Sequence, residues 1–189
     1  MDKKKITNME VKKKNRNDVF RYICRQGTVS NPDISYNMKI SLPTATQITK
    51  ELIAEGLLEG KGELQSTGGR RAKALSAVVN ARLAVGLGIT KNHIALVLIN
   101  IVGEILKYER IHQPYVSGEA YYREVSERLE HFLDENGVDR QKVLGVGISF
   151  PGIINPDKGQ IAYSHVLGIE AVLFDSVSSL FFLSLLFPQ

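Results

Sequence analysis

Two serine caps constrain the N-terminal part of this chain more than any other feature. Ser30 stands before Pro32 and Asp33, and Ser41 stands before Pro43. A serine hydroxyl accepts a hydrogen bond from a first-turn N–H, and proline is tolerated there because the donor it lacks would have no intrahelical partner. The first cap predicts a short helix over Asn31 to Met38, with Ile34 and Met38 inward. After the turn Lys39-Ile40-Ser41, the second cap predicts a helix through Glu55, stopped by Gly56. Upstream, Val19, Phe20, Ile23 and Cys24 lie on one helical face of the segment Asp18 to Gln26, which ends at Gly27. Three short helices with so brief a turn between the last two form a helix-turn-helix arrangement.

On the last of these helices Ala45, Ile48, Leu52 and Ile53 make the expected buried stripe. Leu42, Thr44, Thr46, Gln47 and Lys50 fall on other faces, near its N-terminal half. A helix that enters the major groove contacts bases from that end. Gln47 can pair with adenine, the Thr methyls and Leu42 can meet the thymine methyl, and Lys50 can reach phosphate. Packing for stability alone explains the stripe, but not the short turn or the basic surroundings. Leu57 to Lys61 and Ala72 to Leu75 are expected to pair as strands around a glycine-rich tip, a wing. Its Gly68-Gly69-Arg70-Arg71 could bring Arg70 and Arg71 into a narrow minor groove, although exposed tips also hold Gly and Arg for solubility.

The charge distribution agrees with a polyanion-binding N-terminal part. Residues 1–75 hold 15 Lys+Arg against 8 Asp+Glu, and residues 76–189 hold 9 against 12, so the net charge of +4 divides into +7 and −3. A solvated basic tail would give the same sum. The start MDKKKITNMEVKKKNR lacks the apolar stretch of an export signal, and the most apolar segment, Val166 to Phe187, is interrupted by Glu170, Asp175 and serines. A cytoplasmic protein without a membrane partner is expected. Cys24, the single cysteine, excludes an intramolecular disulfide and a four-cysteine zinc site. His93, His112, His131 and His165 are scattered without a partner at ligand spacing, so no catalytic residue and no metal site are expected.

Beyond the turn formers Gly60-Lys61-Gly62 and Ser66 to Arg71 the pattern changes. Leu83 to Ile89, His93 to Ile101 and Glu104 to Ile111 are β-branched runs separated by short turns, which predicts an antiparallel meander. Glu119 to Glu135 has a helical pattern, with Tyr122, Val125, Leu129, Phe132 and Leu133 inward and Gly137 at its end. Val143 to Phe150 is a buried strand leading into Pro151-Gly152. Strand, strand, strand, helix, strand is an α/β order.

Taken together, Asn15-Arg16, the segment Glu51-Leu52-Ile53-Ala54-Glu55-Gly56-Leu57, the tip Ser66-Thr67-Gly68-Gly69-Arg70-Arg71 and the stretch Gly145 to Asn155 (GVGISFPGIIN) resemble the ROK family (repressor, open reading frame, kinase), and most of all its xylose-repressor-like members. The resemblance covers roughly Lys13 to Glu170. It implies an N-terminal winged helix-turn-helix over residues 1–80, then the first part of a sugar-kinase-like domain over 81–170, an incomplete ribonuclease-H-like lobe of the actin and hexokinase type. It further implies double-stranded DNA as partner and, for the full-length family chain, a sugar effector and a homo-oligomer. Residues 171–189 form an apolar tail unlike the family, and with a family chain about twice this length a truncated or frameshifted reading frame is expected, the alternative being a native end that forms a buried C-terminal helix.

The chain also departs from the family pattern. Where family kinases carry an Asp-Ile-Gly turn for nucleotide phosphate and its metal, this chain has Gly88-Ile89-Thr90. Neither the family's Cys-rich zinc motif nor its sugar-site Asp is present. The expectation is therefore a sequence-specific repressor of carbohydrate genes, xylose utilisation among them, with no cofactor and no enzymatic activity. The alternatives are a sugar kinase with an appended regulatory domain, or a truncated interaction subunit of a full-length paralogue.

Overall fold

The computed structural model describes residues 8–63, 72–155 and 160–173. The chain divides into two compact units, Met1–Ala81 and Arg82–Gln189. The first runs α1 (Asn8–Gln26), β1 (Thr28–Val29), α2 (Asn31–Met38), α3 (Leu42–Ala54), β2 (Leu58–Glu63) and β3 (Lys73–Ala77). The three strands form an antiparallel sheet in the order β1-β3-β2, with Val29 opposite Leu75 and Leu58 opposite Ala77. Val19, Ile23, Val29, Ile34, Ala45, Ile48, Leu52, Leu58 and Leu75 close the core of this unit. Each large aliphatic side chain buried there contributes about 1.5–3 kcal/mol of transfer free energy.

Two expectations for this unit need correction. Helix α1 begins at Asn8, ten residues before the expected start at Asp18. Its first half lacks an apolar period, but it consists largely of good helix formers, and Lys12 and Arg16 pair with Glu51 of α3 and with Glu55, which caps the C-terminus of that helix. Ile53, expected inward, is 43% exposed, and the buried residue beside Ile48 is Thr49. The buried stripe therefore runs through Ala45, Ile48, Thr49 and Leu52.

The second unit runs β4 (Leu83–Ile89), β5 (His93–Asn100), β6 (Ile105–His112), α4 (Glu119–Glu135), a short 3-10 turn (Arg140–Lys142), β7 (Val143–Ser149), β8 (Ile153–Asn155), β9 (Gln160–Ser164) and β10 (Ile169–Leu173). One sheet has the order β6-β5-β4-β7: β4, β5 and β6 form the expected antiparallel meander, and β7 returns parallel to β4 after α4. On one face Leu83, Val85, Leu87, Ile89, Ile94, Leu96 and Leu98 pack with Tyr121, Tyr122, Val125, Leu129, Phe132 and Leu133 of α4. Alternation along β4 and β5 decides which residues reach that core. On the other face Gly86 and Gly88 lie beside Gly147 and Ser149. Strands β8, β9 and β10 make a separate antiparallel sheet. It was not foreseen in the sequence, and β10 continues to Leu173, into the segment expected as an atypical tail.

Candidate nucleic-acid interface

Helix α2 opens with a capping box: the Ser30 backbone N–H donates to Asp33 Oδ2 at 2.9 Å, and the Asp33 N–H donates to Ser30 Oγ at 3.3 Å. At its end Lys39 takes the left-handed conformation, φ 54°, uncommon for a residue with a side chain. That conformation reverses the chain within the short turn, and Ser35 Oγ holds the turn by donating to the Ile40 carbonyl at 2.7 Å. Ser41 then caps α3, accepting from the Thr44 N–H at 3.2 Å. The two helices are joined internally by Thr49, whose hydroxyl donates to Asn31 Oδ1 at 2.9 Å. Sequence periodicity had not singled out Thr49, because a lone threonine on an apolar face carries no signal.

The N-terminal half of α3 presents Leu42, Thr44, Gln47 and Lys50 to solvent, while Thr46 is half-buried. Thr44, Gln47 and Glu51 succeed one another at intervals of three and four residues, so they share one side of the helix. That side faces the first half of α1. Together Val11, Lys12, Asn15, Pro43, Thr44, Gln47 and Ile48 line an open groove of about 640 Å³. Glu51 Oε1 accepts from Gln47 Nε2 at 2.9 Å and from Lys12 Nζ at 3.2 Å. The Gln47 hydrogen bond, and then the Lys12 ammonium, hold the Glu51 carboxyl below the usual glutamate range.

Lys13, Lys14, Arg21 and Arg25 of α1 are exposed as well. The unit therefore brings exposed cations together with an exposed, polar helix half. Arg70 and Arg71 lie outside the described residues; strands β2 and β3, which pair antiparallel, flank that segment on either side. The sequence reading missed Lys12 and Glu51. Only the four-residue spacing of Gln47 and Glu51 could have pointed to one of them, since Lys12 meets α3 through tertiary packing.

In the second unit the turn after β4 is closed on itself. The Thr90 N–H donates to the His93 carbonyl at 2.9 Å, and Thr90 Oγ1 donates to the same oxygen at 2.8 Å. A backbone N–H committed in this way is not available to a phosphate. Burial is the main reason that the His93 imidazole is held below its ordinary value; Arg110 and His112 add to the effect. Among the described residues no group of three or more His, Cys, Asp and Glu could hold a metal ion, and no helix is long and apolar enough to cross a membrane.

Comparison with known proteins sets these features in context. Over 160 residues the chain is 24% identical to the DNA-binding transcriptional dual regulator NagC of Escherichia coli strain K12, covering 85% of this chain and 39% of that one. It is 31% identical over 154 residues to a putative xylose repressor of Caldicellulosiruptor sp. strain Rt8B.4, covering 80% of this chain and 38% of the relative. The xylose repressor of Bacillus subtilis strain 168 is 25% identical over 148 residues, with 78% of this chain and 38% of the relative covered. The chain thus spans about two-fifths of the length of the curated relatives it matches. A solved ROK family transcriptional regulator, described as a homologue of the E. coli MLC protein, superposes with a TM-score of 0.70 at 18% identity, covering 92% of this chain and 43% of that one. That likeness shows a shared mixed α/β fold. The ROK family profile matches residues 82–180, more than half of the sequence, and the chain belongs to the ROK family.

Proposed function

We propose that the first unit is a winged helix-turn-helix that binds double-stranded DNA sequence-specifically, and that the protein is a sugar-responsive repressor of carbohydrate genes. The observation that carries this reading is the exposed N-terminal half of α3, with Leu42, Thr44, Gln47 and Lys50 accessible and the cations of α1 close by in the same unit. Gln47 reads an adenine edge, Thr44 and Leu42 contact thymine methyls, Thr46 supports them from its half-buried position, and Lys50 reaches phosphate. For Arg70 and Arg71, which fall between β2 and β3 in the sequence, the proposed role is entry into the minor groove.

The second unit is read as the first part of a ribonuclease-H-like lobe of the actin and hexokinase type, serving as the effector and assembly domain of a homo-oligomer. A regulator without kinase activity is supported by relatives named as repressors and by Gly88 and the closed Thr90 turn, which offer neither a carboxylate for a metal nor a free amide for phosphate. The identity of 31% to a putative xylose repressor, against 24% to NagC, favours xylose as the effector.

DNA binding as a function of salt tests the reading. Each phosphate neutralised lowers the slope of log K against log salt by about 0.9. A steep slope that vanishes when residues 1–75 are deleted is expected. A flat response, or equal binding by the shortened chain, would overturn the proposal.

A further inference from the structure

Gln47 and Glu51 lie one turn apart on α3, joined by the 2.9 Å hydrogen bond from Gln47 Nε2 to Glu51 Oε1. An ionised carboxylate only accepts, so the end of the Gln47 amide facing Glu51 must be its nitrogen. Glu51 is ionised at neutral pH, since its carboxyl lies below the ordinary glutamate value. One N–H of Gln47 is thereby engaged, and its second N–H and its oxygen are left over. An adenine presents the complement in the major groove, an N7 acceptor beside an N6 donor. Lys12 reaches the same Glu51 oxygen from α1 at 3.2 Å, a second bond that ties the carboxylate.

We infer that Glu51 is a specificity-determining positioning residue: tethered by Lys12, it holds the Gln47 amide in a single orientation, so that the glutamine meets an adenine edge already arranged to read it. The inference rests on the DNA-reading role proposed for α3. An amide that must be ordered at the moment of binding loses roughly threefold to tenfold in discrimination, the equivalent of immobilising one rotamer-rich side chain. Charge gives a second, opposite consequence. Glu51 places an anion on the helix that approaches a polyanion, and removing it also frees Lys12. Binding to unrelated duplexes should then hold or strengthen while discrimination falls. A residue that merely stabilised the helix would instead weaken binding to every sequence alike.

The experiment uses the full chain with Gln47→Ala, Glu51→Ala and Glu51→Gln. Sites selected from random duplexes by the parent are titrated beside versions substituted at every base pair, and beside an unrelated duplex. Gln47→Ala should abolish preference at one pair. Glu51→Ala should lower preference at that same pair roughly threefold to tenfold without weakening binding to the unrelated duplex. Glu51→Gln should act likewise while keeping the thermal midpoint of the parent, because a glutamine has the same shape but can donate as well as accept. Unchanged preference in both Glu51 variants, with Gln47→Ala still deficient, overturns the positioning role and leaves DNA reading intact. Uniform loss across all duplexes also overturns it. No sequence preference in the parent, or none lost in Gln47→Ala, overturns both this inference and the reading on which it rests.

Discussion

Gly86 and Gly88 occupy the same face of β4 two residues apart, yet the structure assigns them different tolerances. A Cβ on Gly86 would stand 2.6 Å from Val97 Cγ1, whereas one on Gly88 would meet the Ala95 methyl at 3.7 Å. Carbon atoms attract best at about 3.5–4.0 Å, so Gly86→Ala forces a displacement of roughly 1 Å. Val97 is stiff at χ1, and turning it off its rotamer costs about 0.5–1.5 kcal/mol; together with the backbone shift that overpacking forces, the cost is about 1–3 kcal/mol. Neither glycine has a positive φ, so alanine also gains about 0.4–1 kcal/mol by restricting the unfolded chain. The balance for Gly86→Ala is a loss of about 1.3 kcal/mol at mid-range, and for Gly88→Ala a neutral or slightly stabilising effect. Removing the obstacle with Val97→Ala should make Gly86→Ala harmless in the double variant, a coupling within the range of about 0.5–3 kcal/mol seen for contacting residues. Urea unfolding followed by tyrosine fluorescence suits this chain, which has 7 Tyr and no Trp, with Tyr108, Tyr115, Tyr121, Tyr122 and Tyr163 all in the second unit. Equal midpoints for the two single variants, or additive effects in the double variant, would refute the steric reasoning.

Three further outcomes are expected. Tyr121 is buried with its hydroxyl unpartnered, and burial first, then Tyr115 and Glu124, push its pKa up to about 12. The folded state thus favours the neutral phenol. Its contribution to stability is complete below the unfolded value near 10 and is lost as pH rises from there through about 12. Tyr121→Phe should flatten that alkaline decline and hold or raise stability at pH 7 by up to about 1 kcal/mol, which unfolding across the alkaline range will check. Ser30→Ala removes one half of the α2 capping box and should cost about 1 kcal/mol, read as a lower thermal midpoint for the first unit. Thr49→Val keeps the shape but leaves Asn31 Oδ1 without its donor, so DNA discrimination should fall more than helix content does, as measured by duplex titration beside circular dichroism.

Local chemistry determined much of this chain. The serine caps with their prolines set the start of α2 and α3 because capping is settled within four residues, and Gly56 marked the end of α3 for the same reason. Runs containing β-branched residues, separated by short turns, marked β4, β5 and β6, and the helical period of Val125, Leu129 and Phe132 set α4. Tertiary structure decided what depends on residues far apart. The first turns of α1 exist beside Glu51 and Glu55, 39 positions away from their partners Lys12 and Arg16. Ile53 was left exposed and Thr49 buried because helix orientation follows the packing against α2 rather than hydrophobicity alone. Strands β8 to β10 are short, and pairing with neighbours gives them their form; nothing in their own periodicity does. Gln47 could be picked from the sequence by its place on α3. That its amide is held in one orientation is a property of three side chains from two helices, which only the folded chain brings within hydrogen-bonding distance.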